Sequence, residues 1–193
     1  MQLARMTVTG ALALAGAVGP TAEPGNAQTL QPTTFLETLA GEWAVVSEAK
    51  LGPGQDPVRN ESREVARMIA GTWLVAESTG TSRGAPFTSI LTLGYDPSEG
   101  HFVGTWISGR QTHMWSYTGS LDASGTSLTL ETEGPVMGNP ERTARYREVI
   151  EIEGSDGKVM RSMILGPHGE WFEFQRAEYR RDETGSPSQE EER

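Results

Sequence analysis

Two side chains of this sequence could transfer protons together, Glu148 and His113. Residues around Glu148 alternate between two faces of a predicted strand, and Glu148 shares its face with Tyr146 and Ile150. A carboxyl group on an apolar face must be paired or protonated. If His113 lay across a cavity from it, the pair could act as general acid and base. In the alternative, Glu148 is structural, either at the rim of a barrel or paired with an inward arginine such as Arg176.

Other kinds of catalytic or metal site are poorly supported by the sequence. The three histidines, His101, His113 and His168, are scattered, and there is no cysteine, so we predict no metal site. His168 lies in Gly-Pro-His-Gly, which is typical of an exposed turn. No Gly-x-Ser-x-Gly motif marks a serine nucleophile, and we expect no cofactor.

A stretch rich in aromatic residues, from Leu93 to Tyr117, contains two turn signals. A loop at Pro97 to Gly100 would pair Asp96 with His101 and place Leu93 opposite Gly104. A two-residue loop at Gly109 and Arg110 would then set Trp106 opposite His113, Gly104 opposite Trp115 and Phe102 opposite Tyr117. We therefore predict one aromatic inner face across three strands.

Those rings either pack the interior or line a ligand pocket. The polar groups of the tyrosines, tryptophans and His113 would need partners inside, and a ligand could supply them. The candidate cavity wall consists of seven residues: Tyr95, Trp106, His113, Trp115, Tyr117, Tyr146 and Glu148.

The elements that must position these residues are almost all strands. One short helix is expected at Thr33–Leu39, with an N-cap at Thr33 or Thr34. Ten short strands and their turns follow, which favours a closed antiparallel up-and-down β-barrel. The strands are expected at Glu42–Ala49, Glu61–Ile69, Thr72–Thr81, Phe87–Tyr95, His101–Ser108, Gln111–Ser120, Ser127–Glu133, Arg142–Glu153, Lys158–Leu165 and Glu170–Arg180.

Two connections look longer than hairpin turns, Leu51–Pro57 and Gly134–Pro140. Long loops often collect at the mouth of a small barrel, so we expect these two to act as lids, with plain surface loops as the alternative. We expect a single barrel domain over residues 33–181.

The two ends of the chain differ in character from the barrel. Residues 1–27 combine Arg5, an apolar run and small residues before Ala27, the pattern of a signal peptide cleaved near Ala27–Gln28. We therefore expect a periplasmic or secreted protein without a membrane anchor. Residues 182–193 hold five acidic residues and one arginine, and we expect a disordered tail. The net charge of the chain is −10, and we identify no cluster of basic residues of the kind that binds nucleic acid.

Several short motifs recur in the order and spacing of a known family. They are Leu39–Trp43, Gly52–Gly54, Gly71–Leu74, Ala85–Phe87, Leu93–Asp96, Gly104–Ile107, Leu128–Leu130, Tyr146–Val149 and Tyr179–Arg181. Over about Thr34 to Arg181 the chain resembles the bacterial family catalogued as domain of unknown function 1579, with a lipocalin-like barrel. The resemblance implies no reaction and no catalytic residues.

The resemblance to lipocalin-like barrels does imply a structural plug. Gly41 and Trp43 would open the first strand, and Arg181 or Arg180 from the last strand would pack on the tryptophan. Arg176 stands where the family pattern has an acidic residue, so an inward Arg176 would need another partner, such as Glu148. Because some lipocalin-like barrels hold haem with one histidine, His113 or His168 could serve as that ligand, a less favoured reading.

Three functions remain open at this stage. We expect an exported barrel that binds a small apolar or aromatic molecule inside. The second is an enzyme that uses Glu148 and His113. The third is a filled barrel that acts through its outer surface, and an internal void below about 100 Å³ would favour it. Oligomeric state does not follow from the sequence.

Overall fold

A computed structural model of the protein describes residues 31–50, 52 and 56–182. One helix and ten strands are present in these residues. They are α1 (Pro32–Leu39), β1 (Gly41–Ala49), β2 (Val58–Ile69), β3 (Trp73–Ser82), β4 (Ala85–Asp96), β5 (His101–Ser108), β6 (Trp115–Leu121), β7 (Ser127–Val136), β8 (Asn139–Glu153), β9 (Gly157–Leu165) and β10 (Trp171–Arg181).

The strands form a closed antiparallel barrel in which each strand pairs with its neighbours in sequence. The barrel closes where β1 pairs with β10, with Val45 opposite Tyr179. Closure gives each of the ten described strands a partner on both sides, so none of them is an edge strand that would invite pairing with other chains. The predicted fold class, an all-β up-and-down barrel of ten strands with a short N-terminal helix, is therefore confirmed.

Helix α1 closes one end of the barrel. Its apolar side chains Phe35, Leu36 and Leu39 are fully buried, and the Phe35 ring packs edge-on against Phe102 with centroids 6.2 Å apart. The predicted N-cap at Thr33 or Thr34 is wrong. The helix begins at Pro32 after Gln31, whose side chain makes no capping hydrogen bond. Proline suits the first helical position, because its ring fixes φ near the helical value and it has no backbone N–H to pair there.

The plug at this end is built from Gly41, Trp43 and Arg181. The Trp43 indole Nε1 donates to the Leu39 carbonyl at 3.0 Å, and the Arg181 guanidinium lies over the ring at 4.4 Å. Arg181 also donates to three backbone carbonyls, those of Ala40, Thr38 and Ser155. Its neighbour Arg180 is mostly exposed, so Arg181 is the arginine of the plug.

The predicted register is right for one hairpin and wrong for the next. β4 and β5 pair as expected, with Asp96 opposite His101 and Leu93 opposite Gly104. In the β5–β6 hairpin, however, Trp106 lies opposite Trp115 rather than His113. Gly104 accordingly faces Tyr117, and Phe102 faces Gly119. The connection spans residues 109–114, so the register shifts by two residues, which keeps the side chains on their predicted faces.

One of the two expected long loops is a tight turn. β7 runs to Val136 and β8 starts at Asn139, so only Met137 and Gly138 connect them. Gly138 has φ +78°, the left-handed conformation that such a turn needs. Pro135 pairs with Thr143 and Val136 pairs with Asn139, so the residues of β8 between these two partners form an irregularity in the pairing with β7. The prediction that Gly134–Pro140 is a long loop acting as a lid is therefore wrong.

Some predictions lie outside the described residues. They concern the signal peptide at residues 1–27, the tail beyond Asp182, and most of the Leu51–Pro57 loop. No helix in the described part of the chain has the length and hydrophobicity needed to cross a membrane.

Candidate functional site

The interior of the barrel contains a cavity of about 450 Å³. Its wall includes Ser82 at the end of β3, Arg110 in the β5–β6 connection and Met137 in the β7–β8 turn. These residues lie at the end of the barrel away from α1. The cavity therefore extends from the middle of the barrel to the end opposite the plug, where Arg110 Nη1 donates to the Ser82 carbonyl at 2.9 Å.

Aromatic side chains form a large part of the cavity wall. Trp115 packs edge-on against Tyr146 with centroids 4.9 Å apart, and the Tyr146 hydroxyl donates to the Pro135 carbonyl at 2.9 Å. Gly134 makes room for this cluster, because a Cβ there would touch the Trp115 ring. The aromatic residues that line the cavity are Phe87, Trp106, Trp115, Tyr117, Tyr146, Phe174 and Tyr179.

Two of the seven predicted wall residues, Tyr95 and His113, are not part of the wall. Tyr95 lies near the α1 end, where its ring packs on Phe102 at 5.3 Å. His113 precedes β6, because the β5–β6 connection is longer than predicted, and its ring packs on Trp115 at 4.8 Å. The other five, Trp106, Trp115, Tyr117, Tyr146 and Glu148, all line the cavity.

Small polar side chains make up the rest of the wall, and the sequence analysis did not anticipate them. Seven serines line the cavity, at positions 47, 62, 78, 82, 89, 108 and 162. Asn60 joins them with its Oδ1 buried and without a partner in the described residues. The sequence does carry a signal for them, because every second residue of a strand points to the same face. In β2, Asn60 and Ser62 share the inward face with Glu64.

Glu148 is the acidic group of the cavity wall without a cationic partner among the described residues. Its Oε2 accepts a hydrogen bond of 2.5 Å from the Ser162 hydroxyl on the neighbouring strand β9. Burial raises the pKa of its carboxyl group to about 8, an effect that the Ser162 hydrogen bond partly offsets. The group is therefore mainly protonated at neutral pH.

The structure separates Glu148 from both partners considered for it. Arg176 points to the outer surface and contacts Glu178, so it is not an inward partner. His113 lies outside the cavity wall that contains Glu148. The acid–base arrangement expected for an enzyme is therefore not assembled.

Two tyrosines face Glu148 from other strands. Burial raises the pKa of Tyr117 on β6 and of Tyr179 on β10, and the negative charge of Glu148 adds to the effect on both hydroxyls. Both tyrosines therefore stay neutral across the physiological range. They present rings and hydroxyl groups, but no charge, toward the carboxyl group.

A buried ion pair lies at the inner end of the cavity. Lys158 Nζ is 2.8 Å from Glu64 Oε1, and Ser78 donates to the other Glu64 oxygen at 3.0 Å. The ammonium group also lies 4.4 Å from the Trp43 ring and 4.6 Å from the Tyr179 ring. Burial lowers the pKa of Lys158, although the charge of Glu64 acts in the opposite direction.

The histidines considered for haem are both outside the cavity wall. His113 is in the connection before β6, and His168 lies exposed in the turn between β9 and β10. The described residues contain no group of three histidine, cysteine, aspartate or glutamate side chains that could hold a metal ion.

Solved structures of other proteins share this barrel. An S-type phycobiliprotein lyase, CPES, from Guillardia theta is 16% identical with a TM-score of 0.53, and the alignment covers 78% of this chain and 92% of that one. Rv2717c from M. tuberculosis is also 16% identical with a TM-score of 0.52, covering 79% and 99%. At this identity the similarity concerns the fold alone.

A search of curated protein sequences gave no significant match. The family model described as a protein of unknown function, DUF1579, matches residues 28–181. That range contains the helix, the ten strands and every residue of the cavity wall. The chain therefore belongs to the DUF1579 family of lipocalin-like barrels.

Proposed function

We propose that this protein binds a small, largely apolar or aromatic molecule inside the barrel. The observation that carries the proposal is the cavity of about 450 Å³, which falls within the range of about 300–1,000 Å³ typical of ligand pockets. It is also well above the void of about 100 Å³ that would indicate a filled barrel. The five wall residues named above, Trp106, Trp115, Tyr117, Tyr146 and Glu148, are the proposed contacts.

Unpartnered polar atoms in the wall support the proposal. Trp115 Nε1 and Asn60 Oδ1 are buried and have no hydrogen-bond partner in the described residues. A buried donor or acceptor without a partner costs about 1–3 kcal/mol, unless water or a ligand pairs with it. These atoms therefore offer one donor and one acceptor to a molecule in the cavity.

The alternative hypothesis, an enzyme that uses Glu148 and His113 as acid and base, has weaker support than ligand binding. A general acid–base pair needs both groups within hydrogen-bond reach of the same substrate. Glu148 lines the cavity, whereas His113 is not in the cavity wall and packs edge-on against Trp115. Ligand binding therefore accounts for more of the wall than catalysis by these two residues.

Tryptophan fluorescence tests the binding proposal. The mature protein is titrated with a panel of fatty acids, aromatic acids, aliphatic alcohols and alkylammonium compounds, and thermal unfolding is followed in parallel. We expect a shift or quenching that disappears in a Trp106→Phe, Trp115→Phe double variant. Trp73→Phe is the matched control, because Trp73 is 42% exposed on the outer surface. No spectral change and no stabilisation with any compound would disprove the proposal.

We further propose that the protein is exported. The support is the three-part pattern of residues 1–27 and a family match that starts at residue 28. N-terminal sequencing of protein expressed with its native leader tests it: the mature chain is expected to start at or near Gln28 in the periplasmic or extracellular fraction. Intact Met1 in the cytoplasmic fraction would contradict export.

A further inference from the structure

We infer that the ligand of this cavity is a hydrophobic cation, an ammonium compound whose charged group binds Glu148 while its apolar part lies against the aromatic wall. The inference rests on the proposed ligand-binding function and specifies the class of ligand. It follows from the charges inside the barrel and from the side chains around them.

The first observation is an acidic group that has no counterion. The other buried acid, Glu64, is paired with Lys158 at 2.8 Å, so that pair is already neutral. Glu148 receives one hydrogen bond, from Ser162, and its second oxygen has no partner in the described residues. Without a counterion this acid stays protonated, and a cation in the cavity would stabilise its ionised form by pairing with it.

The second observation is the set of rings around this carboxyl group. Tyr117 and Tyr179 lie within electrostatic range of Glu148, and Tyr146 lies two residues away on the same face of β8. Ring faces attract cations, and binding sites for quaternary ammonium ligands are built from such aromatic groups. The barrel already uses this interaction at its plug, where Lys158 and Arg181 lie over Trp43.

An anionic group has no comparable place deep in the cavity. A carboxylate beside Glu148 would repel it, and Lys158 is already bound to Glu64. Among the described residues of the wall, the remaining cationic side chain is that of Arg110, which lies at the mouth and is exposed. A fatty acid would therefore have to keep its carboxylate at the mouth and leave Glu148 protonated.

Binding of a cation should depend on pH through Glu148. The titratable and charged groups that face it in the described residues are Tyr117 from β6, Tyr179 from β10 and the neutral Glu64–Lys158 pair. Burial raises the pKa of both tyrosines, so they stay neutral between pH 6 and 9, and a pH dependence that survives in Glu148→Gln would identify a contribution from the Glu64–Lys158 pair. The pKa of Glu148 is about 8, so a cation must displace its proton below that pH.

The experiment compares three compounds with the same eight-carbon chain: octyltrimethylammonium, 1-octanol and octanoate. Affinities are measured at pH 6 and pH 9 for three forms of the mature protein: the wild type, Glu148→Gln and Glu151→Gln. The permanent charge of octyltrimethylammonium ensures that any pH dependence comes from the protein. Glu151 is the control, because it lies on the outer face of the same strand and pairs with Arg161.

We expect octyltrimethylammonium to bind most tightly at pH 9 and about 100-fold more weakly at pH 6, tenfold for each pH unit below the pKa of Glu148. Glu148→Gln should bind the cation at least about 100-fold more weakly than the wild type at pH 9, because glutamine resembles the protonated acid, and its affinity should not depend on pH. Glu151→Gln should keep the affinity and the pH dependence of the wild type. Near-ultraviolet circular dichroism of Glu148→Gln, compared with the wild type at pH 6, checks that the variant keeps the packing of its aromatic wall, and Glu151→Gln should bind 1-octanol as the wild type does.

The outcomes separate this inference from the binding proposal. If 1-octanol or octanoate binds as tightly as the cation at pH 9, the inference is wrong and ligand binding stands. If the cation binds but Glu148→Gln changes neither affinity nor pH dependence, the inference is also wrong. If none of the three compounds binds, this ligand class is excluded, and the panel of the fluorescence titration decides whether the cavity binds another one.

Discussion

Glu64 and Lys158 form an ion pair across the barrel interior, although 94 residues separate them in sequence. Their charged atoms are 2.8 Å apart, and each residue is only 5% exposed. Glu64 comes from β2 and Lys158 from β9, which are not neighbouring strands. The pair therefore links two strands that are separated by β1 and β10 in the barrel wall, and its ammonium group lies over Trp43 of the plug.

The first prediction concerns removal of one partner of this pair. Lys158→Met should lower the free energy of unfolding by about 3–5 kcal/mol, because it leaves the Glu64 carboxylate buried without a counterion. The double variant Glu64→Gln, Lys158→Met should recover most of that loss. Urea denaturation of the two single variants and the double variant gives the coupling energy.

An exposed ion pair provides the control for this cycle. Glu151 and Arg161 are 2.7 Å apart on the outer surface and are each about one-third exposed. Glu151→Gln should change the stability by no more than about 1 kcal/mol. Equal losses for Lys158→Met and Glu151→Gln would contradict the structural role assigned to the buried pair.

The second prediction separates two adjacent arginines of β10. Arg181→Ala removes hydrogen bonds to three backbone carbonyls and the contact with Trp43, so it should lower the free energy of unfolding by about 3 kcal/mol or more. Arg180→Ala should cost less than about 1 kcal/mol, because Arg180 is 64% exposed and its contact with Glu153 is 3.6 Å long.

Denaturation in urea, followed by far-ultraviolet circular dichroism, measures both arginine variants under the same conditions. A loss for Arg180→Ala as large as that for Arg181→Ala would show that the plug does not depend on the particular arginine over Trp43. Arg181→Lys gives a further check: it keeps the charge but cannot reach all three carbonyls, so its stability should lie between the wild type and Arg181→Ala.

The sequence predicts register well where a short turn determines it. Pro97 and Gly100 define the turn after Asp96, so the β4–β5 pairing follows from residue types alone. After Ser108, the residues Gly109 and Arg110 look like a complete turn, but the strands pair again only at Trp115. The error is an even number of residues, and for that reason Trp115 and Tyr117 still point inward.

Pairs across the barrel are harder to predict. Alternation in β2 indicates that Glu64 points inward, but its partner Lys158 depends on how the closed barrel brings β2 and β9 together. The polarity of the cavity was missed for a related reason. A serine in a strand can lie on either face. Which serines point into the cavity becomes clear only when the register of every strand is known.

The third prediction concerns two glycines with positive φ. Gly41 has φ +134°, and a Cβ there would overlap the Arg181 guanidinium. Gly100 has φ +71° and has open space around its Cα. Gly41→Ala should therefore cost about 3 kcal/mol or more, whereas Gly100→Ala should cost about 1–2 kcal/mol from backbone strain alone. Thermal unfolding compares the two, and equal shifts in Tm would contradict the close packing at Gly41.

The fourth prediction concerns the dependence of stability on pH. The pKa of Glu148 is about 8 in the folded protein and near 4.5 when the group is unperturbed. Below pH 4.5 the carboxyl group is protonated in both states and does not reduce stability. Between pH 4.5 and about pH 8 the unfolded state releases the proton and the folded state retains it. The free energy of unfolding therefore falls as the pH rises, by about 1.4 kcal/mol for each pH unit.

Glu148→Gln removes this penalty, because glutamine resembles the protonated acid at every pH. At pH 5 the variant should be about as stable as the wild type, and at pH 9 it should be more stable by several kcal/mol, up to about 5. Urea denaturation at pH 5, 7 and 9 measures the difference, with Glu151→Gln as the control whose difference from wild type should stay nearly constant. A wild type that is more stable than Glu148→Gln at pH 9 would mean that Glu148 is paired with a positive charge in the folded protein.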